Sequence, residues 1–256
     1  MKFKDYFSNH AQIYAQHRPA YPSELFEYLG TLVENRETLW DCGTGNGQVA
    51  VGLAPYFQQV YATDASEPQI AHAIAHPNVQ YSVSTAEHTP LGDRSIDLIT
   101  VGLALHWFDF DLFYQEVRRV LRPAGAIAVW CYSDVELPTA AQELRDRLSD
   151  FRQLVYPHFA PEIEYVMTRY ETIPFPFTQL AVPQFLMTAN WSVDNFIGYL
   201  QSLSGTQRFR EHHGAERLNA VAQPLIAAWQ NSATTLPVEW QIYLKVGRIG
   251  EMQLSS

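Results

Sequence analysis

Between residues 38 and 133 the chain repeats one pattern: a short run of apolar and β-branched residues, then a stretch with helical spacing. The strand-like runs are TLWDC, QVYATD, VQYSVS, SIDLITVGLA and GAIAVWCYS, and segments around 47–57, 66–76 and 109–121 separate them. Parallel neighbours need a long crossover, usually a helix, and sheets built this way are covered by helices on both faces. The pattern therefore predicts an α/β, doubly wound, mostly parallel sheet. Two later runs, PQFLMTANWS and PVEWQIYLKVGRI, read as two more strands, which makes seven.

The rest of the chain reads as additions to that sheet. YPSELFEYLGTLVE places Leu25, Leu29 and Leu32 at helical spacing behind Pro22 and Ser23, both good helix-start residues. AAQELRDRLSDFRQLVY predicts a charged helix, ETIPFPF a Pro-rich connection, and residues 192–229 a further helical region. One domain over residues 1–256 is expected: an N-terminal lid and helix (1–36), a core (37–133), helical cap insertions (134–180 and 192–236) and the last strands (181–191 and 237–250). The cap is expected to fold over the ligand edge of the sheet.

Charge narrows the partners. The formal net charge is −10, from 27 acids against 17 bases, and no Lys/Arg run could track a phosphate backbone. No nucleic-acid partner is expected. The charged start, MKFKDYFSNH, is unlike a signal peptide, and no window approaches the ~20 apolar residues of a membrane span. A soluble, cytoplasmic protein with no membrane partner is the expectation. The two cysteines, Cys42 and Cys131, lie in separate strand-like runs, which predicts buried thiols and no metal site.

The chemistry concentrates in DCGTGNG, residues 41–47. Gly43, Gly45 and Gly47 follow the first strand directly, and in an open parallel sheet ligands bind beyond the carboxyl ends of the strands. Bare backbone there permits tight turning and close approach. Asp64 ends the second strand, ~20 residues on, where a carboxylate can accept both hydroxyls of a ribose. A dinucleotide would fit this much. Asp41 argues against it, because a pyrophosphate ~5 Å from a carboxylate meets a repulsion of about 3 kcal/mol at an effective dielectric of ~20. S-adenosylmethionine has no phosphate and carries a sulfonium and an ammonium, to which an acid is attractive.

With these residues the sequence resembles the class I S-adenosylmethionine-dependent methyltransferases, and the resemblance covers most of the chain. Asp41 to Gly47 looks like the family's acid and glycine loop, and Asp64 with Ala65 like its ribose corner. Ala86 and Glu87 in STAEHTPL are similar to its adenine-contacting segment. SIDLITVGLALHW resembles the strand lining the methionine end, which implies Gly102 and Leu103. The resemblance implies a Rossmann-like fold and S-adenosylmethionine as cofactor. Three stretches, FSNHAQIYAQHRPAYP, LHWFD and WSVDNFIGYLQSLSGTQRF, are similar to a subgroup that includes trans-aconitate methyltransferase, which implies a small carboxylic-acid substrate and O-methyl ester formation. Tyr14 and Arg18 in the first are candidates for the cofactor's carboxylate or for lid closure. His106 and Trp107 are candidate substrate contacts, with His106 a candidate general base, and Arg208 is a candidate partner for an anionic substrate. Two other readings stay open: a cofactor-binding protein without turnover, and an NAD(P)-dependent oxidoreductase, for which no Tyr-x-x-x-Lys pair is present.

Overall fold

The alternating apolar runs are strands, and they pair in parallel. In the computed structural model, which describes residues 19–249, these are β1 (Thr38–Cys42), β2 (Gln59–Asp64), β3 (Val79–Val83), β4 (Ile96–Gly102) and β5 (Leu121–Tyr132). Their spatial order is β3-β2-β1-β4-β5, so the chain reverses direction across the sheet between β1 and β4. Both faces are covered. Along β5, Ala126, Ala128 and Trp130 enter one apolar core while Ile127, Val129 and Cys131 enter the other, the period-two alternation of a strand buried on both sides.

Helices α1 (Ser23–Gly30), α2 (Gln48–Leu53), α3 (Glu67–Ala71) and α4 (Phe110–Val120) supply those layers. In α1, Leu25 and Leu29 are fully buried, four residues apart on one face. The start of α4 is fixed by Asp109, whose carboxylate accepts the Leu112 N–H at 3.2 Å, and Arg118 and Arg119 stand near its carbonyl end, where positive charge is favoured.

The far edge departs from the expected seven strands. β8 (Thr235–Arg248) pairs antiparallel with β5, and on its other side it carries both β7 (Phe185–Ser192) and a short β6 (Thr178–Leu180), giving eight. A 14-residue strand is long enough to hold two partners end to end: β7 takes Thr235 to Ile242 and β6 takes Val246 to Arg248. Three residues are too few to show a period, which is why β6 reads as connection.

The cap contains α5 (Gln142–Val155), α6 (Ile163–Met167), α7 (Val193–Ser202), α8 (Ser204–His213) and α9 (Ala215–Ser232). Residues 192–229, which read as one helical region, are three helices broken at Leu203, in extended backbone, and at Gly214, at φ 84°. The cap shares the sheet's core: Tyr199 of α7 packs edge-on against Trp240 of β8 at 5.5 Å, and Trp240 donates its indole N–H to the Tyr199 hydroxyl at 3.1 Å. Both cysteines are free and buried. Among the described residues no helix is long and apolar enough to cross a membrane, and no group of three or more potential ligands forms a metal site.

The edge of the sheet away from the ligand ends is pinned by Asp97, a buried carboxylate. It accepts the N–H groups of Glu37 and Thr38 at 3.1 and 2.9 Å, the Thr38 hydroxyl at 3.1 Å and the Arg122 guanidinium at 2.7 Å. It thereby joins the starts of β1, β4 and β5. Asp97→Ala would leave buried donors unsatisfied and should lower unfolding free energy by about 3–5 kcal/mol, read from urea denaturation.

Candidate active site

A cavity opens at the carboxyl ends of β1 to β4, beside the point where the strand order reverses. Each strand end contributes: Gly43 to Asn46 after β1, Asp64 and Ala65 at β2, Ser84 to Glu87 after β3, and Gly102 to Ala104 after β4. The sequence candidates Asp41, Gly43, Gly45, Asp64, Ala65, Ala86, Glu87, Gly102, Leu103 and Trp107 all line it. Gly47 does not; it supports the loop from behind.

The loop is held open by hydrogen bonds to its own backbone. The N–H groups of Gly43 and Thr44 donate to the Thr63 carbonyl at 2.8 and 3.0 Å, and Gly45 N–H donates to the Asp64 carboxylate at 2.9 Å. The other Asp64 oxygen accepts Ser66 N–H at 2.8 Å. Two glycines are required for distinct reasons. At Gly47, φ 90°, a Cβ would stand 2.1 Å from the Tyr81 hydroxyl; at Gly45, φ 57°, a Cβ would meet nothing within 4 Å, because this backbone faces the cavity. Gly45 is therefore where a ligand can approach bare peptide.

Asp41 is 1% exposed, and its two oxygens accept hydroxyl protons from Thr44 at 2.5 Å and Thr100 at 2.8 Å. Burial raises its pKa to about 6 in spite of those two hydrogen bonds. An acid weakened in this way responds to nearby positive charge, which would favour its ionised form.

The comparisons with known proteins agree with this geometry. Residues 40–129 match the methyltransferase domain family. Over 249 residues, 95% of this chain and 94% of the other, the sequence is 30% identical to a Dictyostelium discoideum protein that bears a methyltransferase name. The chain belongs to the class I S-adenosylmethionine-dependent methyltransferases. Its structure superposes on an Anaeromyxobacter dehalogenans protein described as a type II methyltransferase with a TM-score of 0.80 and 38% identity, covering 90% of this chain and 97% of that one. At 17% identity the YcgJ protein of Bacillus subtilis shares the fold, with a TM-score of 0.51 over 90% of this chain and 100% of its own.

S-adenosylmethionine is the cofactor of this methyltransferase. The cavity fits it: bare peptide at Gly45, a carboxylate at Asp64 and a raised-pKa acid at Asp41 stand together, with Ala86, buried, and Gln69 farther along the wall. The wall carrying Ala86 is anchored through Thr89, whose N–H and hydroxyl both donate to buried Glu116 at 2.8 and 2.6 Å. Glu87 accepts the Asp109 N–H at 3.0 Å, so it ties this wall to the start of α4 as well as facing the cavity.

The remaining candidates of the methyltransferase divide. Trp107 lines the cavity and His106 does not. The His106 ring is 5% exposed, its Nδ1 is 2.9 Å from the Tyr170 hydroxyl, and burial lowers its pKa to about 3. Such an imidazole is neutral and a weak base. Arg208 lies on α8, donates to the His158 carbonyl at 3.3 Å and is not a lining residue. Tyr14 and Arg18 lie outside the described residues. Sequence reading misses Tyr21, Phe108 and Glu162 in the lining; Glu162 comes from the segment between α5 and α6, and no local motif marks it.

The acidity of Asp41 gives a direct test. The folded chain binds this proton up to about pH 6, whereas an exposed aspartate loses it near 3.8. The stabilisation is complete below the lower value and is lost as pH rises through the upper one, which for ~2 units amounts to roughly 3 kcal/mol. Without ligand, urea stability of the wild type relative to Asp41→Asn should therefore fall by that amount between pH 4 and pH 7.5.

Proposed function

We propose that this methyltransferase acts on a small molecule, enclosed in the strand-end cavity. The observation that carries the reading is the lining itself, which gathers four strand ends, Tyr21 from the N-terminal side and Glu162 from the cap around one space. Bound S-adenosylmethionine supplies an electrophilic methyl group on sulfur. The protein's part is to align that group with the acceptor and keep water away, and alignment can supply ~7–11 kcal/mol of barrier lowering. Asp64 would take the ribose hydroxyls, since it is a partly exposed carboxylate on the cavity lining. Asp41, ionised above about pH 6, would favour the positively charged end of the cofactor.

Within that reading, a carboxylic acid methylated on oxygen is the acceptor class implied by the resemblance to trans-aconitate methyltransferase. The state of His106 supports it: a carboxylate is already ionised at neutral pH and needs no base, and the buried, neutral His106 imidazole is poorly suited to be one. Arg208 bonds elsewhere, so its effect on an acid substrate would be indirect. A nitrogen acceptor is the second reading, favoured by Glu162, the charged side chain that the cap brings to the lining among the described residues.

Calorimetric titration should show S-adenosylmethionine binding to the wild type and no comparable binding of NAD. Asp64→Ala should weaken it by about 2–3 kcal/mol through loss of charge-assisted hydrogen bonds and of the Gly45 contact. Affinity unchanged by that substitution would remove Asp64 from the site. Mass spectrometry of products from a mixed panel of acids and amines decides the acceptor: methyl esters from acids, with most activity kept in His106→Gln, are expected, and transfer to nitrogen alone would replace the acid reading by the second one.

A further inference from the structure

The turn Leu105–Trp107, which follows β4, sets where Leu103, Ala104, Trp107 and Phe108 face the cavity, yet its own hydrogen bonds are few. Trp107 N–H bonds to the Ala104 carbonyl at 3.0 Å and Phe108 N–H to the Leu105 carbonyl at 3.1 Å. Leu103 just before it sits at φ 56°, a left-handed conformation uncommon for a leucine. Something outside the turn must hold it.

Tyr170 is placed to do so. It is fully buried, and its hydroxyl is 2.9 Å from His106 Nδ1. Neutral His106 can accept the phenol proton at Nδ1, so the hydroxyl can donate to the ring that the turn carries. The His106 ring in turn packs against Trp107 at 4.8 Å.

Tyr170 is itself held from two directions. Its backbone is left-handed, at φ 59°, after Arg169 at 57°. Its N–H donates to the Tyr165 carbonyl at 2.7 Å, and its carbonyl accepts Lys245 Nζ at 2.5 Å. Lys245 belongs to β8, three strands from the glycine loop in sheet order. On the other side, Tyr165 of α6 packs edge-on against Phe110 of α4 at 5.3 Å. The path from β8 through Lys245, Tyr170 and His106 to Trp107 is continuous contact.

We propose that Tyr170 is a positioning residue of this methyltransferase: its hydroxyl, on a residue whose backbone carbonyl is held by Lys245, orients the turn that presents Leu103 and Trp107 to the cofactor cavity. The inference rests on cofactor binding in that cavity and is independent of the acceptor. Tyr170 does not line the cavity; it acts through the turn.

The test uses the full chain and S-adenosylhomocysteine as probe. Tyr170→Phe removes only the oxygen, and Tyr199→Phe, which removes a buried hydroxyl in the cap core, controls for the general loss of a buried hydrogen bond. Tyr170→Phe should raise the calorimetric Kd about tenfold and speed hydrogen exchange in peptides covering 103–109, whereas Tyr199→Phe should lower the melting temperature and leave both readouts at wild-type values. A Kd within twofold of wild type in Tyr170→Phe, or an equal loss in both variants, would overturn the proposal. If Tyr170→Phe does not fold, Lys245→Met, which releases only the Tyr170 carbonyl, must weaken the probe at least threefold for the proposal to stand. Failure of the wild type to bind the probe would instead count against the cofactor reading itself.

Discussion

The glycine loop is backbone held by carboxylates, and the site depends on that arrangement. Gly45 N–H points at Asp64, and Thr44 points its hydroxyl at Asp41, so one peptide group and one short side chain tie the loop to the two acids. Both acids are strand-end residues, from adjacent strands β1 and β2. In their parallel register Asp41 pairs with Ala62, so Asp64 stands two residues further toward the ligand edge. The ligand site is thus a consequence of register as much as of residue type.

Burial gives the two acids different characters. Asp41 is enclosed, and its pKa is raised despite two hydroxyl donors, because desolvation of a charge outweighs two neutral hydrogen bonds. Asp64 is partly exposed at the cavity and can meet hydroxyl groups from a ligand. A neighbouring positive charge would draw Asp41 toward its ionised form, so ligand charge and proton binding are linked at this residue. The same reasoning separates His106 from the role its sequence position invites: packed against Tyr170, it is a neutral strut behind the wall.

The wall opposite the glycine loop is built from distant parts of the chain. The turn after β4 is braced by Tyr170, α6 packs beside that turn, and Glu162 precedes α6 at the cavity. Phe159, three residues before Glu162, fills the space that a side chain at Gly205 of α8 would need, so the cap helices and the Glu162 segment fit closely together. A substitution in α8 can therefore reach the Glu162 wall of the cavity through Phe159.

The sequence by itself determined the parallel core, because strand and helix periods are local and both faces of each inner strand are apolar; β5 shows this residue by residue. It also located Asp41, Gly43, Gly45, Asp64, Ala65, Ala86 and Glu87 on the lining of the cavity, since each lies at a strand end or in the loop just after it, where the local pattern changes. Only tertiary structure decided the rest. The eighth strand exists because β8 is long enough to pair twice along one edge, and nothing inside Thr178–Leu180 signals it. Glu162 enters the cavity, Arg208 stays outside it, and Tyr170 reaches His106 across 64 residues of chain, through packing between elements whose local patterns carry no record of their partners. Local periodicity encodes which face of an element is buried; it does not encode which other element buries it.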